Sequence, residues 1–328
     1  MKALFLTTLL LATPVWATQE RAQALYDLAV VPWEQGTKKG ADLMWQAADA
    51  GNARAQCLIA KSNLTSVWVW SDISYKYFKM AADQDALCGL LALSVGAEGG
   101  VPIMRPKQFE IDNISTAEYE KRLNAILAEQ VARGDVEALK LKGFLSDNKN
   151  EECALFEKAA QKNDPDAQFR LANKIEDGCG WYLIPGSRKK AVRYWIEQAA
   201  NHGNPRAMEE MAGLAHDAGD FKEMLAWFDK AIATGNKDSL AFASKFFMGS
   251  YSLIFNLPEK YQDPVKAYAF NYILQQYDPK DNAEDLSPYS RLKVLDEKLT
   301  KAEKEQAITW AKEWMKNHQV RTYGLVFN

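Results

Sequence analysis

The sequence predicts an all-α solenoid of stacked helix pairs, and three observations carry that expectation. A unit that stops one helix and starts the next recurs six times, each stop follows small residues, and a polar cap or a cap followed by proline often restarts the chain. The copies read WQAADAGNARAQCL (45–58), YFKMAADQDALCGL (77–90), LAEQVARGDVEALKL (127–141), FEKAAQKNDPDAQFRL (156–171), WIEQAANHGNPRAMEEM (195–211) and WFDKAIATGNKDSLAF (227–242). A unit of roughly 30–50 residues that keeps its turn is the mark of a helical repeat protein.

The physics of the unit is simple. The pairs Ala47–Ala48, Ala81–Ala82, Ala159–Ala160 and Ala199–Ala200 let two helix backbones approach where a leucine would hold them apart. Gly51, Gly134, Gly203 and Gly235 follow where a helix C-terminus needs a left-handed residue. Asp164–Pro165 and Asn204–Pro205 then supply an N-cap side chain with proline at the first helical position.

Taken in order, the chain opens with Lys2, an apolar stretch LFLTTLLLATPVW, and Val15-Trp16-Ala17 in the positions of a cleavage site. Residues 1–17 therefore read as a secretory signal peptide, too short to span a bilayer, with the mature chain starting at Thr18. No cysteine follows the cleavage site, so no lipid anchor is indicated, and no later run approaches 18 apolar residues. Residues 19–31 read as the first helix, Pro32–Gly40 as a loop, and 41–50 as a helix. Pairs are expected at 53–63 with 70–83, 85–97 with 116–133, 135–146 with 150–161, 165–177 with 187–201, 205–217 with 220–233, and 238–254 with 264–277. The insertion 99–115 holds two prolines and no helical period, so it reads as a surface loop. Ser115 with Glu118 has the spacing of a capping box that restarts the helix. Beyond residue 278 the repeat fades into a polar loop, and Thr300-x-x-Glu303 opens a last amphipathic helix, 301–318. Its default role is to close the end of the stack. The expected division is a signal peptide over 1–17, a solenoid over 18–280 and a C-terminal cap and tail over 281–328.

The four cysteines show no zinc spacing. Cys57 and Cys88 hold similar places in the first helices of two successive units, and stacking brings such places together. Cys153 opens the second helix of one unit and Cys179 lies in the Gly-Cys-Gly loop of the next. Three connectivities are open; joining consecutive units, Cys57 to Cys88 and Cys153 to Cys179, is the expected one, in keeping with an exported protein.

Forty Lys and Arg against forty-three Asp and Glu leave a net charge of −3, made one unit more negative by loss of Lys2. A mildly acidic chain with mixed charges lacks the footprint for nucleic acid or anionic lipid. No Walker loop, GxGxxG, HExxH or GxSxG is present, so no cofactor or metal is called for. The histidines at 202, 216 and 318 stand alone; His202 suits a helix C-terminus and His216 has only Asp217 beside it. Glu151–Glu152 and Glu209–Glu210 are adjacent on helices, do not face one another, and read as solvated faces. Trp45, Trp195 and Trp227 sit at the position that packs between helices. Trp68, Trp70 and Trp181 fall in or beside loops, where tryptophan marks interfaces.

The run AVRYWIEQAANHGNPRAM (191–208) resembles the Sel1-like repeat, which couples an aromatic–x–x–Ala–Ala helix end to Gly-Asn/Asp-x-x-Ala. DPDAQFRLANKIEDGCGW (164–181) fits its other half through Ala167, Gln168, Leu171, Ala172, Gly178 and Gly180. The resemblance covers roughly residues 20–280 in six or seven units. The insertion near 101–115 and turn spacings of about 29 to 50 residues depart from it. It implies a right-handed superhelix whose first helices line a concave face, with no catalytic residues, and exposed Arg170, Lys174, Arg206 and Glu210 as candidates for partner contact. It further implies a periplasmic or secreted scaffold that binds a protein: an immunity protein neutralising a secreted bacterial toxin, or an envelope adaptor. The competing reading is a carbohydrate- or peptidoglycan-acting protein that stacks Trp68, Trp70 and Trp181 on sugars and uses paired carboxylates for hydrolysis.

Overall fold

The computed structural model describes residues 15–66, 69–95, 103–249, 258–277 and 287–321, with the side chains of 15–18 left aside. The signal-peptide reading of residues 1–14 and Trp68 lie outside them. Two compact units divide the chain, one up to residue 126 and one from residue 127 to 327.

The first unit runs α1 (Val15–Glu34), α2 (Lys38–Asp49), α3 (Ala53–Ser62), α4 (Asp72–Asp83), α5 (Leu87–Ser94), α6 (Lys107–Ile111) and the start of α7 (Thr116–Ala132). The second takes up the end of α7 and continues with α8 (Val136–Leu145), α9 (Lys149–Ala160), α10 (Pro165–Glu176), α11 (Ser187–Asn201), α12 (Pro205–Asp217), α13 (Phe221–Ala233) and α14 (Lys237–Phe247). After a 3-10 turn at Glu259–Tyr261 come α15 (Pro264–Leu274), α16 (Pro288–Lys298) and α17 (Lys301–Asn317). The described residues hold no strand, only isolated bridges. From α8 to α15 helices adjacent in sequence pack on one another, the signature of a stack built from local contacts. This is the all-α solenoid the sequence predicts.

The stop–start unit is seen at the atomic level. Gly51, Gly134, Gly203 and Gly235 all adopt positive φ, and Asp85 and Asn163 take the same conformation in the two units that lack a glycine there. Asn52, Asp135, Asp164, Asn204 and Asn236 each accept a bond from the amide three residues on, at 2.7–3.0 Å. All eight paired alanines are at most 1% exposed. Buried Gln56 and Gln168 each donate Nε2 to the carbonyl eight residues back, Ala48 and Ala160, both at 3.0 Å. They add a side-chain donor to carbonyls at the end of the preceding helix that also accept the turn amides of Gly51 (3.1 Å) and Asn163 (3.0 Å).

Four expectations need correction. Pro32–Gly40 is not a loop: α1 runs through Pro32, and α2 begins at Lys38. Proline in the last turn loses only one amide, and its carbonyl is taken by the Thr37 amide (3.0 Å) and hydroxyl (2.8 Å). Gly40 is a contact point, since a Cβ there would fall 2.2 Å from the Pro32 carbonyl carbon. Second, the described part of the 99–115 insertion is docked. Its short helix α6 buries Phe109 edge-on to Tyr75 at 5.6 Å, and the Arg105 guanidinium lies 4.3 Å over the Phe109 ring. Third, α14 ends at Phe247 with Gly249 at φ +69°, short of residue 254. Fourth, α16 fills a stretch the repeat pattern left empty. Ser287 caps it and Pro288 occupies its first turn, the same punctuation used within the repeats.

The two later helix starts are capped as their spacing predicts. Ser115 accepts from the Glu118 amide at 3.3 Å, and Thr300 with Glu303 completes a capping box. Helix α17 packs on α15 through a face that buries Ala307, Ala311 and Trp314. The next segment returns to the last repeat turn. The Arg321 amide donates to the Gly235 carbonyl and the Lys237 amide to the Arg321 carbonyl, both at 2.8 Å.

Candidate interaction surface

Helices α10 and α12, which open successive pairs, carry the four charged candidates, and the structure sorts them into two kinds. Arg170 bonds Asp166 at 3.0 Å one turn back and lies 4.5 Å over the Phe144 ring, tying α10 to α8. Lys174 pairs with Glu152 of α9 at 2.6 Å. Both are half-buried fasteners between helices. Arg206 and Glu210 are exposed and make no ion pair among the described residues. The Glu210 carboxyl is raised from its ordinary value, first by partial burial and then by Glu176 nearby. Arg206 lies one turn before Glu210 on α12 and acts electrostatically on adjacent Glu209.

Neighbouring groups set the rigidity of this face. Glu209 is half-buried, accepts the Ser239 hydroxyl of α14, and is raised by burial first. Glu152 is only 15% exposed at its side chain. The reading of both glutamate pairs as solvated faces therefore fails at Glu152 and Glu209, because the stack brings other helices over them. His202 sits at the C-terminus of α11 with Nδ1 2.9 Å from Gln168 Oε1 of α10. His216 lies 3.3 Å from Asp217.

The tryptophan candidates separate as sharply. Trp70 is not a surface residue: it is 8% exposed, packs 5.1 Å from Phe78, and has Arg105 over its ring. The docked insertion covers it, which no local pattern around SVWVWSD signals. Trp181 is 89% exposed. The loop that carries it was legible as Gly-Cys-Gly-Trp; the exposed Leu183 and Ile184 beside it were missed, although their position just before Pro185–Gly186 is a turn signal.

Both disulfides join the expected cysteines, Cys57 to Cys88 and Cys153 to Cys179, with Cα separations of 6.3 and 6.2 Å. In the first unit a polar recess of about 540 Å³ is lined by Asp72, Tyr75, Lys76, Lys79, Asp83 and Asp112 among others. Its groups already satisfy one another: Tyr75 donates to Asp112 at 2.5 Å, and Lys79 pairs with Asp83 at 2.9 Å. Among the described residues no group of three His, Cys, Asp or Glu side chains could hold a metal.

The fold and its repeating unit define an all-α protein of stacked helix pairs. No family model matches the chain, and no curated protein is similar enough to stand as a relative. Among solved structures it is similar to a protective antigen of uropathogenic Escherichia coli that displays an SLR fold, at 16% identity and a TM-score of 0.44. That match covers 93% of this chain and 62% of the other, so the chain spans less than two thirds of that protein. It is also similar to a Sel1 repeat protein from Oxalobacter formigenes, at 19% identity and a TM-score of 0.43, covering 92% of this chain and 89% of that one.

Proposed function

We propose that the protein is an exported, non-enzymatic scaffold that binds another protein through the exposed face of α10 and α12. The observation that carries the reading is the contrast on that face. Arg170 and Lys174 are spent on internal pairs, while Arg206, Glu176 and Glu210 stand exposed without ion pairs among the described residues, on a framework stiffened by Glu209–Ser239 and Gln168–His202. Unpaired charge on a rigid surface gives orientation and association rate to a protein interface. Two disulfides suit an oxidising compartment. Of the two roles the resemblance implies, toxin neutralisation and envelope adaptor work, the second asks least of the structure, since it requires no surface shaped to plug an active site.

The test uses the mature protein as bait against periplasmic extract and against the product of a neighbouring gene. Arg206→Glu combined with Glu210→Lys should weaken the captured complex, most at low salt, and leave the helical circular dichroism spectrum unchanged. Equal capture by the variant would place the interface elsewhere. Capture of a toxin encoded next door would favour the immunity role. The carbohydrate reading loses one of its stacking residues, because buried Trp70 offers no face to a sugar. Release of muropeptides from peptidoglycan would restore it.

A further inference from the structure

We propose that the loop 181–185, with the first two turns of α11, forms a docking surface for an anionic phospholipid bilayer. Trp181, Leu183 and Ile184 are 89%, 85% and 74% exposed, three large apolar side chains within four residues. Scattered exposed apolar residues need no explanation, but a cluster at the tip of one loop does.

The loop is held as a rigid presentation. The Cys153–Cys179 bridge anchors its base. Arg188 reaches back to the Ile175 carbonyl, to the Cys179 carbonyl at 2.9 Å and to the Gly180 carbonyl at 3.3 Å. Its guanidinium also lies 4.9 Å over the Tyr182 ring, which turns that ring inward while Trp181 and Leu183 turn out. The far end closes through Ile184-Pro185-Gly186-Ser187. The Ser187 amide donates to the Ile184 carbonyl at 3.0 Å, and Gly186 has φ +80° and ψ −10°. Proline followed by a glycine at positive φ is the chemistry of a type II turn.

Charge selects the occupant. Between Cys179 and Ile196 the chain has four cations and no acidic residue. Arg188 serves the loop, whereas Lys189, Lys190 and Arg193 are exposed and form no ion pair among the described residues. They occupy the first turns of α11, where the helix field opposes positive charge, and that helix has no acidic residue in its first turn and no side-chain cap. Helix stability does not call for these cations; an anionic surface does. Aromatic and aliphatic side chains at a tip, followed at once by lysine and arginine on long stems, match the bilayer boundary: the apolar groups enter the acyl edge and the cations reach the phosphates. The mildly acidic net charge of −3 conceals this cluster. The mode is adsorption, since no helix among the described residues is long and apolar enough to cross a membrane. Exposed Tyr194 extends the same surface.

The test is co-sedimentation of the full chain with vesicles of phosphatidylethanolamine and phosphatidylglycerol in equal parts, against vesicles of phosphatidylcholine. The anionic vesicles should carry the protein down, and added salt should release it. Replacing Lys189, Lys190 and Arg193 together by Gln should lower the partition on the order of a hundredfold, since each cation near an anionic surface contributes comparably. Leu183→Ser with Ile184→Ser should weaken binding without removing its salt dependence. A second measurement is independent of those variants: acyl chains labelled with bromine should quench fluorescence in the wild type, and Trp181→Phe should lose most of that quenching. Failure to sediment with anionic vesicles at low salt overturns the proposal. So does equal sedimentation of the triple variant, or capture of an acidic protein by this loop with no vesicle binding. None of these arms uses Arg206 or Glu210, so the protein-binding reading stands or falls separately.

Discussion

Gly203 and Gly235 adopt the same left-handed conformation for different reasons, and substitution separates them. A Cβ on Gly203 would meet nothing within 4 Å, so only the backbone at φ +99° resists it. Gly203→Val should cost at least about 1 kcal/mol, the scale of left-handed strain for a branched residue. At Gly235 a Cβ would fall 1.9 Å from the Gln319 carbonyl oxygen, so even Gly235→Ala must also displace the C-terminal segment. Thermal melts should rank wild type and exposed Lys222→Gln together, Gly203→Val lower, and Gly235→Ala no higher than Gly203→Ala. Glu209 supplies a pH signature. Its folded-state value is raised, so its proton is bound more readily in the folded chain, and the associated stability is lost as pH climbs above the ordinary glutamate value of 4.5. Glu209→Gln keeps an oxygen to accept the Ser239 hydroxyl. It should therefore melt higher than wild type at neutral pH, with the gap closing as pH falls towards 4.5. A gap that widens on acidification would reverse the assignment.

At the scale of the helix, the sequence was legible wherever structure was decided by near neighbours. Alanine pairs, glycine stops and Asx caps act within one turn, so the units between 45 and 249 fell within a few residues of their expected bounds, α14 excepted. What escaped was decided from a distance. Pro32 stays helical because Thr37 satisfies its carbonyl, α6 forms because Tyr75 and Arg105 sandwich Phe109, and Trp70 is buried beneath that same insertion. The candidate charges divided along the same line: Asp166 lies only one turn before Arg170, but the sequence could not show Phe144 of α8 beneath Arg170 or Glu152 of α9 claiming Lys174. Arg170→Glu with Lys174→Glu is consequently expected to lower the melting temperature, making it a poor probe of binding. Removing both members of the Cys153–Cys179 bridge should cost about 3 kcal/mol for a closed loop of this length. Limited chymotrypsin digestion should then cut after Trp181 or Tyr182 faster than in the oxidised protein. Unchanged cutting would mean that Arg188 and the Pro185–Gly186 turn hold the loop alone.

For the whole molecule, export is the expectation with the plainest check: the N-terminus of protein from the periplasm should be Thr18, and recovery of Met1 would contradict it. The stack of helix pairs is legible in the sequence because repetition averages over local error, whereas both proposed surfaces depend on individual side chains, Arg206 and Trp181 among them, that the repeating pattern does not specify. The bridge between Gly235 and Arg321 bears on how such a chain is made. In the turn between α13 and α14, the Gly235 carbonyl and the Lys237 amide are both bonded by the main chain of residue 321. Some eighty residues must leave the ribosome after that turn before its partner exists, so the turn is provisional throughout synthesis. The closing contact thus ties that turn to a segment far along the chain, so disturbing residue 321 should loosen the start of α14, read as faster amide exchange at Lys237.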